Sequence, residues 1–318
     1  MTGRTTLTLD GAPVPDAPGE IRACLVVRNE ALRLPANLAH HRALGVDRFL
    51  VVDNGSTDGT LDYLAAQPDV CLFRTDDSFA AAECGYDWTN MVLGAHADGQ
   101  WALTVDADEL FVFPAYEHVG LRALCGHLDA HGARGVVALM VDMYGPGAIA
   151  GTIHDPGRPL TEASPWFDPG PYSFVRDARC PHVQFVGGVR ARAFDFSAHQ
   201  PTPPVVSKVP LVKWDRATRY LMAAHAVTPL PVYPMLGGLL HFKFLSDFPD
   251  RVVTAVAEAQ HFGGAQEYRV YLEHLRRDPD LRLRNDASQR FAGSAQLLDL
   301  RLLEADEALA AFLTTQMA

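Results

Sequence analysis

The chain has 318 residues, 48% hydrophobic and 20% charged, enough to bury a large core as one big α/β domain or two smaller ones. Its formal charge is -11, from 38 acids against 27 Lys plus Arg, which argues against a nucleic-acid partner. Cys24, Cys71, Cys84, Cys125 and Cys180 are scattered without a CxxC pair, so neither a disulfide framework nor a structural zinc site is expected, and a reduced cytoplasm suits them. The opening residues lack a basic and then apolar signal pattern, and the apolar stretch near residues 226 to 240 is broken by Pro229, Pro231 and Pro234, so no export signal or membrane span is expected.

Residues 1–19 hold three prolines and little periodicity, and read as a loose leader or a short edge strand. Ile21 to Val27 is an apolar, β-forming run. Leu32, Leu34, Leu38 and Leu44 follow at roughly helical spacing up to Gly45, which predicts a strand and then a helix. Phe49 to Val52 is apolar on both faces, as in a central parallel strand, with Asp53 at its end. In the turn after it, Ser56 or Thr57 is placed to cap a helix over 59–67. Val70 to Phe73 and Trp101 to Val105 read as strands flanking a helix over 83–97, and Leu121, Leu124, Cys125 and Leu128 mark a helix ended by Gly132. Gly135 to Met143 completes five strands alternating with helices, the pattern of a doubly wound, mostly parallel sheet.

Six prolines and five glycines crowd residues 145–171, predicting a long functional loop without regular elements. Beyond it, 183–196 is expected as strands, Asp215 to His225 as a helix, Leu239 to Phe244 as a strand, 249–261 and 266–277 as helices, and 287–313 as a helical tail. These shifts divide the chain into a leader (1–19), a first half (20–145), a second half (146–280) and a tail (281–318).

Within residues 101–111, WALTVDADELF, an apolar strand runs directly into Asp106, Asp108 and Glu109. Carboxylates two apart where a strand relaxes into a loop can turn toward one hard cation, at the edge where open α/β sheets bind ligands. The plainer alternative is an acidic turn in which Asp106 or Asp108 caps a following helix. The loop after the first long strand, Val27-Arg28-Asn29-Glu30, has neither GxGxxG nor GxxxxGK, which speaks against a Rossmann dehydrogenase or a P-loop kinase. Asp53 is placed to accept from a ribose hydroxyl or a base imide or, more simply, to hold its own turn through neighbouring N–H groups. His241 and Lys243, two apart on an expected strand, face one side. Arg190 and Arg192 share that spacing and suit phosphates, an acidic acceptor or solvent. His225 closes an expected helix and either enters the site or stabilises the helix end.

Three segments, VRNE (27–30), VVDNGSTDGT (51–60) and DADE (106–109), in this order and at these spacings, together resemble family 2 glycosyltransferases of the GT-A fold. The resemblance covers residues 21–145. FDPGPY (167–172), GGVRAR (187–192), SKVPLVKW (207–214) and HFKF (241–244) are similar to a bacterial subgroup of that family. The fold implied is α/β, a GT-A type doubly wound, mostly parallel sheet with a C-terminal acceptor-side extension of mixed strands and helices. The resemblance implies that Arg28, Asn29 and Glu30 line the nucleotide pocket and that Asp53 reads the base or ribose. It also implies that Asp106 and Asp108 hold Mg²⁺ or Mn²⁺ against the diphosphate, with Asp108 preferred as direct ligand, while His241 completes the metal shell and Lys243 holds phosphate.

An inverting transfer needs a base for the acceptor hydroxyl. The family's Glu-Asp pair has no plain copy here. Asp168, in the Pro-rich loop, is the first candidate, with Asp195, Asp215 and Glu258 behind it and Asp142 expected near the donor sugar.

The expected function is an inverting, metal-dependent glycosyltransferase moving a sugar from a nucleoside diphosphate, UDP for preference, to a hydroxyl of a saccharide or lipid-linked glycan. Polysaccharide assembly in the cytoplasm is the expected setting, with membrane contact at most peripheral and no nucleic-acid partner. Two rivals stay open. A nucleotidyltransferase of similar fold would normally begin with a Gly-rich, basic loop, and a noncatalytic sugar-nucleotide or glycan binder would have less need of the metal acids.

Overall fold

The computed structural model describes residues 6–176, 182–197 and 203–317; Cys180 lies outside them. The first half runs β1 (Thr8–Asp10), β2 (Arg22–Val27), α1 (Leu34–Leu44), β3 (Arg48–Asp53), α2 (Thr60–Ala65), β4 (Val70–Arg74), α3 (Tyr86–His96), β5 (Trp101–Thr104), β6 (Glu109–Val112), α4 (Leu121–Ala130) and β7 (Gly135–Tyr144). The second half continues with α5 (Leu160–Ala163), β8 (Trp166–Phe167), β9 (Tyr172–Val175), β10 (Gln184–Gly187), α6 (Gly188–Ala193), β11 (Ser207–Lys213), β12 (Val232–Phe244), α7 (Phe248–Glu258), α8 (Phe262–Arg277), β13 (Gln289–Arg290), α9 (Ser294–Asp299) and α10 (Glu307–Met317).

The main sheet has the order β1-β4-β3-β2-β5-β11-β7-β12-β6, with β8 and β13 added beside β7; β9 and β10 pair separately. The section β4-β3-β2-β5 is parallel. Side chains that alternate along its strands feed two cores. Ala23, Leu25, Val27, Phe49 and Val51 pack with Leu34 and Leu38 of α1 and Leu121 and Leu124 of α4. Cys24, Leu50 and Val52 turn the other way, against Trp88 and Val92 of α3. Strands apolar on both faces require helices on both faces, and this chain supplies them. A third, aromatic core of Phe194, Phe244, Phe248 and Tyr271 gathers α6, β12, α7 and α8.

Several expectations change. The α/β sheet is mixed, with a parallel section as expected; the unforeseen feature is β11, which enters antiparallel between β5 and β7. Neither Ser56 nor Thr57 caps α2: Gly59 precedes it at φ 95, and Asp58 Oδ1 accepts from the Thr60 N–H at 3.0 Å. The Pro-rich stretch carries α5 and β8 despite its composition. Residues 183–196 hold a single short strand, since Gly187 and Gly188, at φ 138 and 63, turn the chain into α6. Residues 215–225 form turns, because Asp215 Oδ1 draws in the N–H groups of Ala217 and Thr218, both at 2.9 Å. No helix among the described residues is long and apolar enough to cross a membrane.

Candidate functional site

The acidic segment begins where β5 stops. It turns straight into β6, so there is no helix for Asp106 or Asp108 to cap. Asn37, on α1, grips this turn with its amide, donating to the carbonyls of Asp106, Ala107 and Glu109 at 3.1, 3.2 and 2.8 Å. The two aspartates then part company. Asp106 Oδ2 meets Lys208 Nζ at 2.6 Å, and that ammonium also lies 2.7 Å from Glu109 Oε1. Asp108 Oδ2 instead faces His241 Nε2 at 3.3 Å.

Strand pairing sets the rest. β12 runs parallel to β7 with His241 in register with Asp142, and His241 Nδ1 donates to Asp142 Oδ1 at 2.6 Å. Arg190, on α6, donates from Nε to the other Asp142 oxygen at 2.8 Å and lies 3.5 Å from Glu267. Lys243 reaches the same Glu267 at 3.5 Å and sits 5.0 Å over the Tyr268 ring. His241 and Lys243 therefore open onto one connected set of charges. Burial pushes the Asp108 carboxyl up, but His241, Arg33 and Arg251 outweigh it and hold the group well below the usual range. At Asp142, Arg190 and His241 overcome burial in the same way. Burial pushes His241 down, and the carboxylates of Asp108 and Asp142 more than restore it, leaving the imidazole above its ordinary value.

This geometry suits a divalent cation. A carboxylate only accepts, so His241 Nδ1 carries the proton shared with Asp142. Nε2 then confronts Asp108 across a gap that only positive charge makes favourable, whether a second proton or a metal ion. A carboxylate behind a histidine is also the usual support of a metal-binding imidazole. Asp108 and His241 fit as a pair only, since among the described residues no group of three or more His, Cys, Asp or Glu is gathered at ligand spacing. Ions of the Mg²⁺ type commonly bind through one or two carboxylates and substrate phosphates.

The ends of β2 and β3 border a cleft of about 530 Å³, lined by Arg28, Asn54, Gly55, Asp76, Phe79 and Glu258 among others. Arg28 forms a forked pair with Glu258 at 3.0 and 3.1 Å. Asn29 is spent on the fold: at φ 56 it accepts from the Thr57 N–H at 2.7 Å while its own N–H donates to Ser56 at 2.9 Å. Glu30 is buried and paired with Arg251 at 2.6 Å, a link between the first loop and α7. Asp53 Oδ1 holds its own turn by accepting from Gly55 and Ser56 at 3.1 and 3.0 Å. Asp53 Oδ2 is buried with no hydrogen-bond partner among the described residues.

Asp168 does not suit the role of base. It is 3% exposed, and Arg192 donates to both of its oxygens, at 2.7 and 3.1 Å, while Tyr144 donates to one. Arg192 is thereby an internal counter-ion, and Arg190 is buried against Asp142 rather than facing solvent; both lie on a helix, not on the expected strand. Asp195 accepts from Ser197 on the surface, and Asp215 ties its turn to Arg134 at 2.7 Å. His225 closes no helix; its Nδ1 bonds the Ser207 carbonyl at 2.6 Å. Lys208, Asn37, Arg251 and Glu267 were not singled out in advance. Lys208 left a signal, a lone cation in the apolar run Val205 to Val212.

No family model matches the chain. It is 36% identical over 102 residues to a TPR repeat-containing protein of Synechococcus elongatus, covering 31% of this chain; the chain spans 23% of that relative's length. Among solved structures, 4-diphosphocytidyl-2C-methyl-D-erythritol synthase aligns at 15% identity and TM-score 0.26, over 41% of this chain and 64% of that one. The WbbM bifunctional glycosyltransferase aligns at 16% and 0.27, over 42% and 25%. UDP-glucose pyrophosphorylase from Acinetobacter baumannii aligns at 10% and 0.26, over 43% and 64%. Scores this low carry no argument about the chemistry of this chain.

Proposed function

We propose that this chain is an inverting, metal-dependent glycosyltransferase that moves a sugar from a nucleoside diphosphate, UDP for preference, to a hydroxyl of a saccharide or lipid-linked glycan. One observation carries the reading: Asp108 and His241 oppose each other at 3.3 Å, with Asp142 behind the imidazole, at the sheet edge that also borders the cleft. The resemblance of VRNE, VVDNGSTDGT and DADE to family 2 glycosyltransferases supports it.

In this reading Asp108 and His241 hold Mn²⁺ or Mg²⁺ directly, with Asp106 beside them on the same turn. Asp53 Oδ2 accepts from the base or ribose. Arg28 faces the nucleotide at the cleft, Asn29 and Glu30 shape the loop beneath it, and Lys243 attracts the diphosphate. The bound ion supplies the positive charge that makes a diphosphate a tolerable leaving group. One unit-charge pair at 4 Å is worth roughly 4 kcal/mol at an effective dielectric near 20, and about 1.4 kcal/mol is tenfold in rate. Of the acids weighed as base, Glu258 is the one that lines the cleft, so it is the first to substitute.

UDP release from a panel of UDP-sugars, with Mn²⁺ or with chelator, tests the proposal. Turnover that requires both metal and acceptor is the expected result. Turnover only with a sugar phosphate and a nucleoside triphosphate would make the chain a nucleotidyltransferase, and affinity without turnover would make it a binding protein.

A further inference from the structure

The acidic turn already holds a cation of its own. Lys208 Nζ lies 2.6 Å from Asp106 Oδ2 and 2.7 Å from Glu109 Oε1, and its side chain is 5% exposed. Glu109 is fully buried, and its second oxygen accepts from the Asp106 N–H at 3.0 Å. Together with Asn37, these contacts fix the turn from Asp106 to Glu109 from three sides. The lysine reaches the turn because β11 breaks into the sheet beside β5. Its pairing with β7 shifts register between Lys208 and Leu211. An apolar strand carrying one buried ammonium between two carboxylates is costly unless all three groups are paired, as they are here.

We infer that Lys208 is a positioning residue that acts as a resident cation: it claims Asp106 and Glu109 and, among the described residues, leaves Asp108 and His241 as the protein donors for a divalent ion. This rests on the metal-dependent reading above and assigns the three acids of the turn two separate jobs. Asp106 and Glu109 are counter-ions to a fixed ammonium, and Asp108 alone faces the exchangeable charge. The spacing of the two aspartates says nothing of this division; the partner of each decides it.

The test is Mn²⁺ binding to the full chain in the presence of UDP, followed by electron paramagnetic resonance, with circular dichroism as a check on folding. Wild type should bind one ion. Asp106→Asn should stay within about threefold of wild-type affinity, whereas Asp108→Asn should weaken it roughly a hundredfold or more, as expected from losing a charged ligand. Lys208→Met, which leaves two carboxylates without a countercharge, should take up a second ion or tighten the first about tenfold, and Lys208→Arg should restore the wild-type value. Equal losses in Asp106→Asn and Asp108→Asn would overturn the assignment, as would a folded Lys208→Met with unchanged binding. If Lys208→Met fails to fold, the two aspartate variants decide the matter alone. A wild type that binds UDP but no Mn²⁺ would overturn the metal-dependent reading itself, and this assignment with it.

Discussion

The two ends of this sheet edge are built differently. Where β5, β7 and β12 end, Asp108, His241, Asp142, Arg190 and Glu267 form one continuous chain of opposite charges, each already against a partner. Where β2 and β3 end, the Arg28 and Glu258 side chains are 45% and 38% exposed around an open cleft, and Asp53 keeps a buried oxygen unmatched among the described residues. The first arrangement is fixed before any ligand arrives, as electrostatic stabilisation of a leaving group demands. The second leaves groups for a ligand to satisfy. Under the proposed function, chemistry belongs to the rigid end and recognition to the open one.

If the contrast is real, damage to the rigid end should be the most costly. Arg190→Met strands the buried Asp142 carboxylate and should lower stability by about 3–5 kcal/mol in urea denaturation. A loss below about 1 kcal/mol would mean the network is looser than its distances imply. Gly187→Ala comes next. At φ 138 an added Cβ would stand 2.4 Å from the Pro171 carbonyl, so the variant should cost about 2–3 kcal/mol and displace α6, which carries Arg190.

His261 lies between the two ends, tilted against Tyr268 at 4.5 Å and edge-on to Phe79 at 5.6 Å. Burial, then Lys243 and Arg251, push it down to about 4. The unfolded chain takes up this proton near pH 6.5 and the folded chain only near 4, so the contribution is complete above 6.5 and is lost as pH falls toward 4. Unfolding free energies from urea denaturation at pH 7 and 4.5 should converge in His261→Gln by on the order of 1 kcal/mol, partial exposure of the ring weakening the effect. The smallest effect is expected at the open end. Arg28→Ala should change stability by less than about 1 kcal/mol, as for an exposed pair, while weakening UDP measurably by calorimetry.

The same contrast runs through what the sequence discloses. Apart from β6, which no apolar period announces, the strands and helices from Ile21 to residue 145 were legible because apolar spacing is local: α1 ends at Gly45 with φ 99, where the leucine pattern stops. The entry of β11 beside β5 joins residues about a hundred positions apart, which no local pattern encodes. Residues 215–225 look helical in composition, but Asp215 satisfies its neighbours' N–H groups in a turn instead. At the site, the paired acids after β5 and the spacing of His241 and Lys243 could be read directly. Which acid meets which cation could not, because Lys208, Arg190 and Arg251 come from elements whose placement is a matter of tertiary packing. Asp168 shows the cost: its loop was visible, and its burial against Arg192 was not.

Crystals grown with UDP and Mn²⁺, measured at the manganese absorption edge, address the central claim most directly. One anomalous peak is expected at about 2.1–2.5 Å from both Asp108 Oδ2 and His241 Nε2, with Lys208 still on Asp106. A peak seated between Asp106 and Glu109, or UDP bound with no peak beside Asp108, would contradict it.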